Sequence, residues 1–313
     1  MITIPEQLQS KADNVSGGSE WLSQLPDVCR RLSEEWAIDL GSPFPDCHVS
    51  LVITADQAGC PLVLKIPMPS TIELKTLAAG ARAREADALR EWKGNGAVQL
   101  VEYDDATGAM LEERCLPGAT LAELEHPDDA DGLAAALLHR LHVSPPPRGG
   151  FERLADRAVR LAQDLPERVD EAKMRVDQWL LDTAIRLLGQ LSEPGPAEAL
   201  LHGDFHHANI LSAEREPWLA IDPLPMIGDP AYDAVQYLLF RMGDLADPSA
   251  EWGREIAQVC RRLDVDAERV KAWLFARLVS DAVAAYTQGT SLAELEAPHG
   301  DLWTARLVSR LRQ

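Results

Sequence analysis

The chain has 313 residues, a hydrophobic content of 46% and a formal net charge of −20 at pH 7, which together are typical of a globular protein with a sizeable core. The negative charge argues against nucleic acid and anionic membranes as partners, and no apolar run approaches the roughly 18 residues that span a bilayer. Five widely spaced cysteines without a C-x-x-C pair, and an N-terminus without a signal-peptide pattern, predict a cytoplasmic protein with free thiols.

The first 113 residues predict a small lobe built around an antiparallel sheet. Residues 1–20 are polar, and SGGSE within them indicates a flexible or capping segment. Apolar residues then recur at helical spacing in EWLSQLPDVCRRLSEEWAI. HVSLVIT and CPLVLKI predict a hairpin across ADQAG, ELKTLAAGARAREADALREW predicts a helix, and AVQLVEYDD and GAMLEER predict two more strands. This lobe is therefore expected to contain about four strands and two helices.

Residues 114–313 predict a larger, helical lobe. Helical periodicity runs from Leu121 to Val143, from Glu152 to Leu191 and again beyond Pro230, with interruptions at SPPPRGG and Pro166. Only ANILSAEREPWLAIDP resembles short strands. The predicted fold is α+β and bilobal, with a small antiparallel-sheet lobe followed by a helical one.

Two charged side chains stand where the pattern predicts burial. Lys65 lies within the apolar strand PLVLKI, where its ammonium must find an anion or reach solvent. Glu85 shares a helix face with Leu89 and Trp92 and needs a cationic partner. Taken singly, Lys65 could be a snorkelling lysine on an exposed strand face and Glu85 a boundary glutamate, but together they predict an ion pair.

The stretch LHGDFHHANIL carries a second set of polar residues. Asp204 and Asn209 have the spacing of the kinase catalytic loop H-R-D-x-x-x-x-N, in which the aspartate accepts a proton and the asparagine binds magnesium. Asp222 follows a short apolar strand in WLAIDP, a position from which a carboxylate can reach the metal bridging the ATP phosphates. Lys65, Glu85, Asp204, Asn209 and Asp222, in this order, form a specific combination.

The histidines of this stretch allow a different interpretation. Adjacent His206 and His207 side chains project in different directions, and no further ligands follow at regular spacing, so a zinc site is disfavoured. Packing or substrate orientation is the alternative for both. His202 is expected to hydrogen-bond within the loop.

These motifs resemble those of the aminoglycoside phosphotransferase-like kinases. HGDFHHAN is similar to their H-G-D-x-H-x-x-N motif, and IDPLPMIGDPAYDAV to their I-D-P…G-D-P-x-Y-D continuation. The stretch from LVLKI to CLPGATL resembles the branch of streptomycin 6-kinases and hydroxyurea phosphotransferases. The likeness implies a protein-kinase-like fold, with residues 1–113 as the nucleotide-binding lobe and residues 114–313 as the catalytic lobe.

The resemblance also implies roles for individual residues. Asp204 becomes the catalytic base, and Asn209 and Asp222 become the magnesium ligands. Lys65 contacts phosphate and is paired with Glu85. The segment from Glu112 to Cys115, which includes Glu113, resembles the hinge whose backbone meets adenine. ATP and Mg²⁺ are thus the implied cofactors.

This sequence departs from the usual kinase pattern at one point. It contains neither G-x-G-x-x-G nor the phosphate loop G-x-x-x-x-G-K-[ST]. GSPFPDCHVSL stands where a phosphate-covering loop is expected, with Gly41 as its only glycine. Further along, Asp229 is expected to cap the helix that follows Pro230, with a direct catalytic role as the alternative.

We therefore expect an ATP-dependent kinase that phosphorylates a hydroxyl of an aminoglycoside-like substrate. A metabolic sugar or amino-alcohol kinase, or a nucleotide-binding pseudokinase acting as an interaction module, are the alternatives. The expected partner is a small hydroxylated and cationic molecule, with no nucleic acid or membrane, and the protein is expected to be a monomer or homodimer. Candidate substrate-binding residues on the helical lobe are Asp281, Glu294, Glu296, Trp273 and Trp303, although the tryptophans are more typical of a core.

Overall fold

The computed structural model describes residues 3–45, 47–68, 81–124, 127–142, 150–193, 195, 197–242 and 248–311. The chain forms two compact units. The first contains Met1–Ala119 together with Leu211–Leu224, and the second contains Thr120–Ile210 and Pro225–Gln313. No helix within the described ranges is both long enough and apolar enough to pass through a bilayer.

A five-stranded antiparallel sheet forms the centre of the first unit. Its strands are β1 (Asp39–Pro43), β2 (Ser50–Gln57), β3 (Cys60–Pro67), β4 (Leu100–Asp104) and β5 (Ala109–Glu113), in the order β1-β2-β3-β5-β4. The hairpin predicted across ADQAG is confirmed: Gln57 pairs with Cys60, and Ala58 and Gly59 both have positive φ, as a two-residue turn requires. β3, which carries Lys65, is the central strand.

Two helices at the N-terminus pack their apolar side chains into the same core as this sheet. They are α1 (Glu6–Asp13) and α2 (Gly18–Glu35), and their core residues include Leu8, Leu25 and Leu32. The segment SGGSE is a tight, packed junction, because a Cβ on Gly18 would lie 2.0 Å from the Ala12 carbonyl oxygen. Of the two predicted roles of SGGSE, flexible or capping, the capping role is the one found, because Gly17 is the N-cap of α2. Helix α1 was not predicted, since it is short and buries only Leu8 and Ala12.

One more helix and one small hairpin complete the first unit. Helix α3 (Ala81–Trp92) corresponds to the second half of the predicted helix, and residues 73–80 lie outside the described residues. The short strands predicted in ANILSAEREPWLAIDP are β8 (Ile210–Ser212) and β9 (Trp218–Ala220), which pair with each other. Backbone bonds join Gly118 to Ser212 and Val98 to Ala220, so residues 211–224 are tied to this unit.

The second unit is predominantly helical, as predicted. Its core is organised around the long helix α9, which buries Val270, Phe275 and Val283 among others. The helices are α4 (Pro127–Leu141), α5 (Leu154–Glu171), α6 (Gln178–Leu191), α7 (Ala231–Met242), α8 (Pro248–Leu263), α9 (Ala267–Thr287), α10 (Leu292–Glu296) and α11 (Asp301–Val308).

Two features of the second unit differ from the prediction. Helix α5 continues through Pro166, so this proline does not interrupt it; its buried face, with Ala158 and Leu165, offsets the lost backbone hydrogen bond. A small sheet of β6 (Glu152–Arg153), β10 (Met226–Gly228) and β7 (Ala199–Leu201) was not predicted, because two- and three-residue strands have too few positions to show a period. β7 leads directly into the loop that carries Asp204.

Candidate active site

The charged pair predicted from the sequence is present in the first unit. Lys65 on β3 is only 7% exposed. Its Nζ lies 2.6 Å from Glu85 Oε1 on α3 and 2.7 Å from Asp222 Oδ1. Glu85 shares its helix face with buried Leu89 and Trp92, so the apolar spacing of α3 points the carboxylate toward the lysine.

The charge of Lys65 is balanced mainly by two carboxylates. Burial by itself lowers the pKa of Lys65, but Asp222 and Glu85 outweigh it and raise the pKa, so the ammonium stays charged. Glu112 on β5 is 5% exposed, and its Oε1 accepts no hydrogen bond from the described residues. Burial, opposed in part by Lys65, raises the pKa of Glu112 to about 8. Glu112 is therefore mostly neutral at pH 7.

Asp222 stands at a strained point of the backbone. Its φ of 56° lies in the left-handed region that few residues other than glycine adopt, although aspartate tolerates it better than most. β9 ends two residues earlier and is fixed by the pairing of Ala220 with Ala97. One carboxylate oxygen accepts a hydrogen bond from the Lys65 ammonium, while the side chain remains 49% exposed. A strained backbone together with a half-exposed carboxylate is typical of a residue that also binds a ligand from solvent.

In the second unit, the loop after β7 is held by one buried carboxylate. Asp233 on α7 is fully buried and accepts hydrogen bonds from the backbone amides of His202 (2.9 Å) and Gly203 (2.7 Å). Its Oδ2 also lies 2.9 Å from His142 Nε2. Gly203 has a φ of 79°, a conformation that a side chain would strain. The motif H-G-D thus requires its glycine for backbone geometry.

Asp204 and Asn209 interact as their spacing predicted. The Asn209 side-chain nitrogen donates to the Asp204 backbone oxygen (2.9 Å) and to Asp204 Oδ2 (3.2 Å). In this orientation the side-chain nitrogen of Asn209 is engaged by Asp204, so its side-chain oxygen is the atom that could bind a metal. Burial raises the pKa of Asp204, but His206, His202 and Arg277 together lower it below the usual value. Asp204 is therefore ionised at neutral pH and can accept a hydrogen bond from a substrate hydroxyl.

The three histidines serve the loop itself. His206 stacks on Phe240 with ring centroids 3.9 Å apart, and its Nδ1 accepts the Ala208 amide. His207 stacks on Tyr237 at 4.2 Å. The predicted packing role is thus confirmed for both. His202 is buried and accepts the Asp204 amide through Nδ1, which confirms the expected hydrogen bond within the loop.

Asp229 caps the helix that follows Pro230, which is the role that the sequence favoured. Its Oδ1 accepts the backbone amide of Ala231 at the start of α7, and its Oδ2 accepts from Arg269 (2.6 Å) and from the Trp273 indole (3.1 Å). Since both of its oxygens are bound by protein donors, Asp229 caps and anchors the helix that carries Asp233.

The predicted hinge segment, Glu112 to Cys115, spans the end of β5 and the two residues after it. Both Glu113 carboxylate oxygens bond Arg215, at 2.8 Å each, so its side chain is committed to a structural ion pair. Cys115 is buried, and burial raises the pKa of its thiol to about 12. The Glu113 carboxylate is paired and the Cys115 thiol is buried, so only the backbone of this segment can contact a nucleotide.

Most of the substrate candidates proposed from sequence have structural partners. Trp273 is buried against Tyr232 and Asp229, Glu294 caps α10 through Ser291, and Glu296 pairs with Arg306. Asp281 alone of the five lines a sizeable cavity, which lies among α7, α8, α9 and α11. Trp303 is half-buried beside His299.

Magnesium is compatible with the residues present. The described residues contain no group of three or more His, Cys, Asp or Glu that could hold a metal ion. Magnesium, however, is commonly bound by one or two protein side chains together with phosphate and water. Asn209 in the second unit and the half-exposed Asp222 carboxylate in the first unit each carry an oxygen of the kind that magnesium prefers.

Solved structures of other proteins share this fold. A choline kinase from Streptococcus pneumoniae matches 92% of this chain and 99% of its own, with a TM-score of 0.64 and 13% identity. An aminoglycoside phosphotransferase, APH(4)-Ia, matches 92% of this chain and 98% of its own, with a TM-score of 0.61 and 16% identity. The fold is therefore protein-kinase-like, and the predicted α+β class with an antiparallel sheet and a helical part is confirmed.

Sequence relatives identify the family. The family described as aminoglycoside/hydroxyurea antibiotic resistance kinase matches residues 35–289. A streptomycin 6-kinase from Streptomyces glaucescens is 34% identical over 90% of this chain and 91% of its own. A hydroxyurea phosphotransferase from Kitasatospora aureofaciens is 32% identical over 90% and 80%. The chain belongs to this kinase family, and it is an ATP-dependent phosphotransferase with a hydroxyl group as acceptor.

Sequence analysis assigned no role to three polar residues that the structure places beside Lys65 or on the helix that holds the catalytic loop. Asp233 and Gln236 lie in the apolar stretch AYDAVQYLLF, and Glu112 lies in the strand AMLEE. A polar residue inside an otherwise buried segment was the available signal, the same one that singled out Lys65.

Proposed function

We propose that this protein transfers the γ-phosphate of ATP to a hydroxyl of a streptomycin-like aminoglycoside. The observation that carries the proposal is the contact of Lys65 with both Glu85 and Asp222 at 2.6 and 2.7 Å. In protein kinases a strand lysine paired with a helix glutamate contacts the nucleotide phosphates and an aspartate holds magnesium, and Lys65, Glu85 and Asp222 match that arrangement. The named relatives act on streptomycin and hydroxyurea.

Each polar residue has one role in this proposal. Lys65 holds phosphate oxygens, and Glu85 orients its ammonium. Asp204 orients the attacking hydroxyl and accepts its proton. The backbone between Glu113 and Cys115 contacts the base of the nucleotide. Phosphoryl transfer needs mainly positioning and charge neutralisation, so this small set is sufficient.

We propose that Asn209 and Asp222 each offer an oxygen to Mg²⁺. When bound, the ion would neutralise charge on the phosphate oxygens. Asp222→Ala should then lose the magnesium dependence of nucleotide binding, while Asp56→Asn, near the end of β2 where this side chain accepts the Gly59 amide of the turn, should keep it. Nucleotide titrations with and without magnesium measure this. A full wild-type magnesium effect in Asp222→Ala would remove Asp222 from the ligand set.

The alternatives that the sequence left open are less well supported. A pseudokinase is disfavoured because Lys65, Asp204, Asn209 and Asp222 are all present with the contacts described above. A metabolic sugar or amino-alcohol kinase is not favoured by the relatives at 32–34% identity, which carry names of antibiotic-directed enzymes.

Product analysis tests the proposed function. The full-length protein is incubated with ATP, magnesium and streptomycin or hydroxyurea, and products are identified by mass spectrometry. We expect streptomycin to gain one phosphoryl group in stoichiometric exchange for ADP. ADP formation without any phosphorylated acceptor, or no turnover with either compound, would contradict the proposal.

A further inference from the structure

The second unit contains a cavity next to the catalytic loop that none of the roles above uses. Its volume is about 400 Å³, and its walls come from α7, α8, α9 and α11 and from the turn before α11. Phe240, which lines it, stacks on His206, and Arg277, which also lines it, lowers the pKa of Asp204 through its charge. The cavity therefore adjoins the residue proposed as the base.

One buried side chain in the cavity wall has an unused acceptor. Gln236 on α7 is 8% exposed, and its Oε1 accepts no hydrogen bond from any described residue. A buried carbonyl oxygen without a donor costs stability, so an unpaired one in a wall of a cavity points to a ligand that supplies the donor.

The charges in the cavity favour a cation. Asp281 on α9 and Asp301 at the start of α11 both line it, and the Arg277 guanidinium bonds Asp281 at 3.1 Å. The cavity thus contains two acidic side chains, Asp281 and Asp301, and one guanidinium, that of Arg277, which is already paired with Asp281. Burial and the neighbouring Asp281 raise the pKa of Asp301 to about 6, so Asp301 is ionised above that pH. The other titratable side chain in the wall is His299.

We propose that this cavity binds a guanidinium-type cation of the acceptor substrate, with Asp281 and Asp301 accepting from its N–H groups and Gln236 accepting one more. This inference rests on the proposed function and narrows it. A guanidinium offers five N–H donors in one plane, and it can satisfy several acceptors at once. A small neutral acceptor such as hydroxyurea would leave the two carboxylates uncompensated.

The first test separates this site from general charge effects. Asp281→Asn and Asp301→Asn should each raise KM for streptomycin at least tenfold, change kcat less than threefold, and leave KM for ATP unchanged. Glu296→Gln is the matched control, because this neighbouring carboxylate pairs with Arg306 and does not line the cavity. Equal effects of Glu296→Gln, or no change in KM in both aspartate variants, would overturn the assignment.

Gln236→Met gives a second test that does not depend on charge. The variant keeps the approximate volume and removes the unpaired oxygen, so the protein should be at least as stable as the wild type in thermal unfolding. KM for streptomycin should nevertheless rise severalfold. A loss of stability with unchanged KM would mean that Gln236 is only structural.

Direct binding distinguishes failure of this inference from failure of the proposed function. Calorimetric titration of the wild type with streptomycin, without ATP, should show binding that Asp301→Asn weakens tenfold. Phosphorylation of both acceptors with no effect of the three substitutions would sink the cation site and leave the kinase assignment intact. Binding of streptomycin without any phosphorylated product would contradict the proposed function and leave the cation site intact. Phosphorylation of hydroxyurea in preference to streptomycin would also contradict the cation site.

Discussion

Lys65 lies at the centre of the buried charged residues of the first unit. Lys65 contacts two carboxylates, and a charged group buried to this extent is tolerated only with such compensation. The sequence predicted the Lys65–Glu85 contact, because both residues interrupt apolar patterns that fix their direction. Glu112 and the contact of Lys65 with Asp222 were not predicted, since they depend on strand register and on a segment far along the chain.

Lys65 and Glu85 should be coupled in catalysis. Lys65→Ala and Glu85→Ala should each reduce kcat/KM, because the ammonium is either absent or no longer oriented. The double variant should be much less impaired than the product of the two single effects, because either change alone already abolishes the function of the ion pair. Steady-state kinetics on the four proteins measures this. Strictly multiplicative losses would show that the two side chains act independently.

Glu112 should make the stability of the fold depend on pH. The pKa of Glu112 is about 8 in the folded state and near 4.5 in the unfolded state, so the folded state binds this proton more strongly. The stability that this provides is fully present below pH 4.5 and is lost progressively as the pH rises to 8. Glu112→Gln should therefore be increasingly more stable than the wild type between pH 5.5 and 8.5, by a few degrees in Tm at the upper end.

Thermal unfolding across this range tests the prediction, with Glu91→Gln on the exposed side of α3 as the control. The control should show a difference from wild type that does not change with pH. A pH-independent difference for Glu112→Gln as well would show that this carboxyl is already ionised in the fold.

At the scale of elements, helix α7 is the scaffold of the catalytic loop. It begins at the Asp229 cap, presents Asp233 to the amides of His202 and Gly203, and stacks Tyr237 and Phe240 on the histidines. The helix was predicted from its periodicity, and the Asp229 cap from the proline that follows it. The role of Asp233 could not be predicted, because its partners lie about 30 residues earlier in the chain.

Asp233→Asn should damage both stability and turnover. An amide cannot accept from both backbone donors and His142 without turning its own N–H groups toward one of them, so we expect a loss of about 3 kcal/mol or more. Burial raises the pKa of Asp233, but His142, His202 and the Gly203 amide outweigh it and lower the pKa. Its contribution is therefore fully present above the usual aspartate range and is lost only as pH falls through the lowered value.

Chemical denaturation at pH 6 and pH 8 should therefore give the same difference between Asp233→Asn and the wild type, in contrast to Glu112→Gln. Asp264→Asn, at an exposed position between α8 and α9, serves as the control and should be nearly neutral. A loss below about 1 kcal/mol for Asp233→Asn would contradict the anchoring role.

At the scale of the whole molecule, the family resemblance predicted more than local patterns did. The order Lys, Glu, Asp-x4-Asn, Asp indicates a kinase from the sequence alone, and the fold and the relatives agree with it. The assignment of residues 211–224 to the first unit depends on backbone bonds from Ser212 and Ala220 to residues near 97 and 118. Such long-range pairing has no local signature, and neither has the cavity lined by Gln236, Asp281 and Asp301.

Single-turnover kinetics of Asp204→Asn, beside calorimetric ATP binding on the same preparation, tests the proposed catalytic mechanism most directly. Asparagine keeps the shape of the side chain and removes the base, so transfer of the γ-phosphate to streptomycin should slow by ~10²–10⁴-fold. ATP affinity in the presence of magnesium should change little, because Asp204 is not proposed to bind the metal. A variant that retained more than about a tenth of the wild-type rate, or that lost ATP binding to the same extent as turnover, would contradict the mechanism.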